Sequence, residues 1–267
     1  MPTVDELTAG YGNFMLSPRR GPGVCRRCFN LTDGYSQCYA CSHCESWLDA
    51  VAPISYSVAH EQLHHALACY KRLSGAAARK VRLELAAVLW RHLAAHEHCV
   101  AAGSGSGEFQ IVTTVPAGTP ERDAGQPLRH IVEELVQPVR NRYQRLLERS
   151  DTPVQPRAFD ARRFTARTRL TGEAVLLIDD TWTTGASAQS AAAALKQAGA
   201  GPVATVVIGR HLNREWRENN RRLRALRAPF DWGRCPHCEP KGRMTGPGGD
   251  GAAPANPRCL QPDARTP

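Results

Sequence analysis

The sequence predicts an α/β domain built on a parallel sheet flanked by helices, with a small cysteine-rich module near its amino end. Three observations carry this. Strand, loop, helix and strand follow one another between residues 174 and 209, and such a βαβ unit makes its two strands parallel neighbours. Two runs with helical periodicity precede it, over residues 59–73 and 76–101. Five cysteines crowd into residues 25–44, largely in CxxC spacing.

The bulk properties set the frame for these elements. A chain of 267 residues that is 42% hydrophobic can bury a sizeable core. The opening stretch MPTVDELTAGYGNF lacks the charged region and apolar run of a secretory signal. No apolar stretch approaches the roughly 20 residues that span a bilayer. The expectation is a cytoplasmic protein without membrane insertion. With 34 basic against 25 acidic residues the formal charge is +9, and the excess is mostly Arg, which grips phosphate in forked pairs of hydrogen bonds. Anionic partners follow, either a phosphorylated small molecule or a nucleic-acid backbone. Ten cysteines without an export signal read as metal ligands or buried thiols rather than disulfides.

Along the chain, residues 1–24 show no periodicity and read as a flexible arm. The segment 25–50 then brings CRRCFNLTDGYSQCYACSHC. Two CxxC knuckles on either side of a turn place four thiolates around a tetrahedral Zn²⁺. Cys25, Cys28, Cys38 and Cys41 are the expected ligands, with Cys44 or His43 as substitutes for one of the second pair. Four thiolates leave no open position, so the site is structural. The remainder, 51–232, reads as the main domain. Leu63, Leu67 and Tyr70 recur at helical spacing, and Leu83, Leu85, Val88, Leu89 and Leu93 mark a second helix that stops at GSGSG. That Gly/Ser run follows a helix where a dinucleotide fingerprint needs a strand, so it reads as a linker. FQIVTTVPAGTP reads as a buried strand and tight turn, followed by a helix over 128–149 that Pro138 kinks. AVLLI and PVATVVIG are strands, and SAQSAAAALKQAG between them is a helix with Gly199 as its left-handed cap. The segment 233–267 reads as a plain disordered tail; the alternative is that its Cys235 and Cys238, with His237 or Cys259, hold a second metal or complete the first site.

His60, Glu61 and His64 spell HEQLH, which on a helix supplies two zinc ligands and the general base of a metallopeptidase. No third ligand follows at the matching spacing, so a solvated histidine-bearing face is the expectation.

The chemistry concentrates in AVLLIDDTWTTGAS, residues 174–187. Two adjacent carboxylates at the end of an apolar strand cost several kcal/mol to bury unless hydroxyls, cations or metal satisfy them. The following turn offers backbone N–H groups and hydroxyls and leads into a helix whose amino end attracts anions. A ligand fitting both halves has a phosphate at one end and vicinal hydroxyls a few ångströms away, the shape of ribose 5-phosphate. A nucleotide-hydrolysing alternative would need a GxxxxGK[ST] loop, which the sequence lacks.

VLLIDDTWTTGAS resembles the phosphoribosyl pyrophosphate (PRPP) signature of type I phosphoribosyltransferases. Together with the CxxC pairs, the Tyr70–Lys71 element and the VPAG turn, the chain resembles the competence-protein-F (ComF) family over roughly residues 25–212. The resemblance implies a type I phosphoribosyltransferase-like sheet and a glycosyltransferase that binds PRPP with Mg²⁺ and transfers phosphoribose to a nitrogenous base. It implies that Asp179 and Asp180 hold the ribose hydroxyls, and that Thr181, Thr183, Thr184, Gly185, Ala186 and Ser187 line the 5-phosphate site. Pro116, Ala117, Gly118 and Thr119 would form the turn facing the pyrophosphate, often through an unusual cis peptide, with Arg122 or Arg129 adding charge. The alternative within the same resemblance is a non-catalytic PRPP sensor or DNA-uptake accessory. Its basic segments RRLRALR and NRYQRLLER would touch single-stranded DNA or competence-type partner proteins, although few aromatics interleave with the Arg to stack on bases.

Overall fold

The computed structural model describes residues 2–44, 46–117, 125–226 and 229–238. Four strands, β1 (Ala50–Val58), β2 (Ile111–Thr114), β5 (Val175–Trp182) and β6 (Val203–Leu212), form one sheet in the order β1-β6-β5-β2. Every pairing in it is parallel. The short β3 (Leu147–Arg149) and β4 (Phe164–Ala166) make a separate antiparallel pair.

The strands of the main sheet read as continuous apolar runs because both faces are covered. Alternation along β5 sends Leu176 and Ile178 to one face and Val175 and Leu177 to the other. The first face packs on α3 (Gln62–Arg72) and α4 (Gly75–Gly103), through Leu63, Leu67, Leu85, Leu89 and Leu93. The second packs on α7 (Ala186–Gln197), whose Ala188, Ala191, Ala192 and Leu195 recur at helical spacing. Gly199 sits past that helix at φ +103°, the expected left-handed cap.

Several expectations change. β1 was not foreseen. Its Pro53 lacks the N–H of an interior ladder residue, and β1 is an edge strand, where that loss is tolerated. The amino-terminal segment is not a loose arm. Thr3 and Glu6 close a capping box on α1 (Val4–Thr8), Arg91 of α4 holds Asp5 at 2.9 Å and the Thr8 hydroxyl at 2.8 Å, and the Tyr11 hydroxyl donates to Glu84 at 3.2 Å. Tyr56 N–H donates to the Leu16 carbonyl at 2.9 Å, so this segment also shields the edge of β1.

The long helix over 128–149 is instead broken. Helix α5 (Pro127–His130) runs into a π-helical turn over Ile131–Leu135, then α6 (Gln137–Arg140), and residues 147–149 are strand. Pro138 has no N–H to donate and restricts the residue before it, so it starts a new turn rather than kinking an old one. The tail is ordered as far as the description reaches: residues 229–238 pack on the domain, with Cys235 buried. Residues 239–267, Cys259 among them, lie outside the described residues. Among the described residues, no helix is long and apolar enough to cross a membrane.

Candidate functional site

A cavity of about 680 Å³ opens beyond the carboxyl ends of β5 and β2. Such a crevice is where ligands bind in open parallel sheets. Asp179 and Asp180 both face it, and strand alternation divides their environments. Asp180 follows Leu176 and Ile178 onto the α3 side, where Lys71 Nζ stands 2.6 Å from its Oδ2. It is only 5% exposed, and the Thr181 hydroxyl also donates to it, at 3.3 Å. Asp179 accepts the Asp180 N–H at 2.9 Å. Burial and then the neighbouring Asp180 charge hold the Asp179 carboxyl well above the usual carboxylate range. The buried Tyr70 hydroxyl is pushed well up by burial and by both carboxylates. The pair is therefore an unfavourable arrangement kept in place by the fold, with one cation and few donors to satisfy it.

The loop after β5 supplies the rest. Thr181, Thr183, Thr184, Gly185, Ala186 and Ser187 all line the cavity. Gly185 stands at φ +84° as the N-cap of α7. A Cβ there would lie 2.5 Å from Cε2 and 2.9 Å from Cη2 of the Trp182 indole, with Cζ2 closer still. Glycine is thus required both by conformation and by space. Trp182 is buried beneath the loop in the core on the α7 face, and the cavity stays open above it. The Thr184 hydroxyl donates to the Arg157 carbonyl at 3.1 Å and accepts the Ala186 N–H at 3.3 Å, which shapes the turn. The first N–H groups of a helix have no partner within it, so the start of α7 presents donors beside the acidic pair.

Across the cavity lie Pro116 and Ala117, carried from β2 by the Val115 N–H bond to the Ile178 carbonyl at 3.0 Å. The buried Gln126 side chain donates to the Val115 carbonyl at 2.6 Å and ties the two ends of that loop together. Gly118, Thr119 and Arg122 lie outside the described residues, and no cis peptide bond occurs among the described ones. Arg129 is not among the residues lining the cavity. Its place as a source of positive charge is taken by Lys71, Arg72, Arg82 and Arg157. Arg82 is fixed by donating to the Tyr70 carbonyl at 3.2 Å.

The first cysteine cluster forms as expected. The sulfurs of Cys25, Cys28, Cys38 and Cys41 lie within 4.8 Å of one another, with Cys28 and Cys38 at 3.6 Å. Four thiols at this spacing suit one tetrahedral metal ion. Cys44 and His43 are not in the group: the Cys44 carbonyl accepts from Arg27, and the His43 ring stacks on Tyr39 at 4.0 Å.

One residue that sequence reasoning passed over joins this module to the cavity. Arg210, on β6 and 3% exposed, pairs with no carboxylate among the described residues. Its guanidinium donates to the carbonyls of Cys28 at 3.0 Å, Trp182 and Thr183 at 3.1 Å and His211 at 2.6 Å, and lies 3.8 Å from Cys28 Sγ. A buried guanidinium is stable only if its charge is answered; the carbonyls answer it in part, and the cysteine group beside it would do so as thiolates on a bound metal ion. An Arg at the end of the apolar run PVATVVIG was the available signal.

HEQLH does not form a metal site. His60 has φ +67° and Glu61 is only the N-cap residue of α3, so the motif straddles the helix start. Glu61 is ion-paired with Arg214, and His64 Nδ1 accepts the His60 N–H at 3.2 Å. In the basic stretches Arg222 is paired with Asp33, Arg221 with Glu218 and Arg142 with Glu97, and Arg227 lies outside the described residues. No protein-family model, curated protein or solved structure matches this chain.

Proposed function

We propose that the cavity binds PRPP and that the protein transfers its phosphoribosyl group to a nitrogenous base, on a type I phosphoribosyltransferase-like domain braced by a structural Zn²⁺ on Cys25, Cys28, Cys38 and Cys41. The observation that carries this reading is the convergence of an acidic pair, a helix amino end and four cationic side chains on one cavity. No simple anion or cation uses all three. A sugar with vicinal hydroxyls, a phosphate at one end and a pyrophosphate at the other does.

In this reading Asp179 and Asp180 accept hydrogen bonds from the ribose 2′ and 3′ hydroxyls. The N–H groups of Thr184 to Ser187 and the hydroxyls of Thr183 and Ser187 surround the 5-phosphate. Lys71, which the free protein parks on Asp180, turns with Arg72 and Arg82 toward the pyrophosphate beside Pro116 and Ala117. As the base nitrogen bonds to C1, the C1–O bond breaks and its electron pair leaves with pyrophosphate. Positive charge develops on the ring and is stabilised by the Asp180 carboxylate, joined by Asp179 once the bound ligand's cations release its proton; negative charge on the leaving group meets the cations and amides. No side chain acts as a nucleophile. Asp179, Asp180 and the hydroxyls of the cavity are hard oxygen donors that would suit Mg²⁺ carried on PRPP, and such an ion would supply charge neutralisation of the pyrophosphate.

The test is a calorimetric titration with PRPP and Mg²⁺, followed by a screen of nucleobases for pyrophosphate release. Saturable binding that Asp179→Asn and Asp180→Asn weaken at least tenfold supports the reading. Absence of PRPP binding, with affinity for single-stranded DNA that survives both substitutions, would replace it with a DNA-binding accessory role.

A further inference from the structure

A second cluster of soft ligands lies away from the cavity. Cys235 and Cys238 of the carboxy-terminal CPHC turn do not complete the first cysteine site. They meet His96 and Cys99, and the four ligand atoms lie within 4.8 Å of one another. Cys238 Sγ is 3.2 Å from Cys99 Sγ, 3.2 Å from Cys235 Sγ and 3.2 Å from His96 Nδ1. In a tetrahedron with metal–sulfur bonds of about 2.3 Å, ligand atoms stand about 3.8 Å apart, so the four are spaced to share one ion. They are too far apart for a disulfide, whose sulfurs lie about 2.05 Å apart.

The surroundings prepare these atoms for a metal. His96 and Cys99 are three residues apart on α4 and share a face of the helix. His96 is 3% exposed, and its Nε2–H donates to the Trp232 carbonyl at 2.8 Å. That bond fixes the tautomer, leaving the Nδ1 lone pair free and aimed at the sulfurs, which is how imidazole ligands are oriented. The His237 N–H donates to Cys235 Sγ at 3.4 Å, as in a metal knuckle. His237 is not one of the four: its Nε2–H donates to the Val51 carbonyl at 3.0 Å and its Nδ1 lies against Gly103 rather than among the sulfurs. Gly103, at the end of α4, lets the knuckle approach: a Cβ there would stand 3.0 Å from His237 Cε1, with Nδ1 closer still.

We infer that His96, Cys99, Cys235 and Cys238 form a second, closed Zn²⁺ site that fastens the carboxy-terminal segment to α4. Three thiolates and one imidazole suit a structural zinc and leave no position for substrate. The site is remote from the cavity, about 20 Å along α4 from Arg82 at the helical rise of 1.5 Å per residue. The same knuckle touches the first module: Arg20 donates to the Pro236 carbonyl at 3.3 Å, and the Phe29 and His237 rings meet edge to face at 6.3 Å. The two ions thus brace the amino- and carboxy-terminal segments against one end of the domain.

The inference is tested on the full chain, reconstituted with Zn²⁺ under reducing conditions and freed of loosely bound metal. Elemental analysis is expected to give two zinc ions per chain, falling to one in Cys235→Ser/Cys238→Ser and to one in Cys25→Ser/Cys28→Ser. X-ray absorption fine structure of the unmutated protein needs no variant to fold and is expected to show seven sulfurs and one imidazole nitrogen shared between the two ions. One zinc per chain with sulfur ligands only would overturn the second site, as would a disulfide among Cys99, Cys235 and Cys238 in the zinc-loaded protein.

Discussion

Replacing Gly185 by alanine perturbs the loop between β5 and α7 through two separable costs. The residue sits at φ +84°, where an L side chain loses about 1–2 kcal/mol. The new methyl also overlaps the buried Trp182 indole, with Cε2 at 2.5 Å; forcing an extra carbon into a packed site costs typically 1–3 kcal/mol. Gly185→Ala is therefore expected to destabilise the protein by ~2–5 kcal/mol. At the ~2–4 °C per kcal/mol of a chain this size, its melting temperature falls by roughly 5–20 °C. Denaturant unfolding followed by circular dichroism, at fixed zinc concentration, measures the loss. The steric part depends on the indole and the conformational part does not. In a double-mutant cycle with Trp182→Leu, the combined loss should fall short of the sum of the single losses by ~1–3 kcal/mol. A Gly185→Ala variant within ~0.5 kcal/mol of the parent, or additivity within ~0.5 kcal/mol, would refute the account of the loop.

Three further outcomes are expected. Because burial and Asp180 raise the Asp179 pKa in the folded state, the native protein holds that proton where the unfolded chain has lost it, and stability falls as pH rises above the ordinary carboxylate value of about 4. Asp179→Asn should flatten this decline and raise the melting temperature at neutral pH while weakening PRPP binding at least tenfold; an unchanged slope between pH 5 and 8, read by thermal unfolding, refutes it. Lys71→Met removes the cation 2.6 Å from Asp180. Half of its side chain is solvated, so the stability loss should be only about 1 kcal/mol, but PRPP affinity should fall tenfold or more and lose part of its salt dependence by calorimetry. Arg210→Met leaves the carbonyls of Cys28, Trp182 and Thr183 without their shared donor and should cost ~3 kcal/mol or more in chemical unfolding, together with weaker PRPP binding; a variant as stable as the parent would show that the Arg does not couple module and loop.

What could be read from the sequence was whatever is local. The βαβ unit around AVLLIDDTWTTGAS carries its own periodicity and turn chemistry, so β5, α7 and β6 appear where the pattern puts them. The cysteine pairs of residues 25–41 close on themselves for the same reason. What escaped depends on contacts between distant segments. The side chains that Cys235 and Cys238 meet sit on α4, 139 residues from Cys238 in the case of Cys99, and the CPHC pair alone does not point to them. The cations of the cavity come from α3, α4 and the loop carrying Arg157, and no local pattern marks an arginine as facing a site. In residues 1–24 the capping box Thr3–Glu6 was a local signal that was passed over, while the rest of the segment's order is imposed from outside, by Arg91, Glu84 and the edge of β1. HEQLH failed in the opposite direction: its spacing requires a continuous helix, and the left-handed His60 places the helix start inside the motif.

The central claim is that a single sugar phosphate spans the acidic pair and the start of α7, and a crystal structure with PRPP and Mg²⁺ bound tests it most directly. The account predicts the ribose hydroxyls on Asp179 and Asp180, the 5-phosphate on the amides of residues 184–187, and Lys71 drawn away from Asp180. PRPP bound elsewhere on the domain, or a 5-phosphate lying on the Lys71 side with Asp179 and Asp180 untouched, would contradict it.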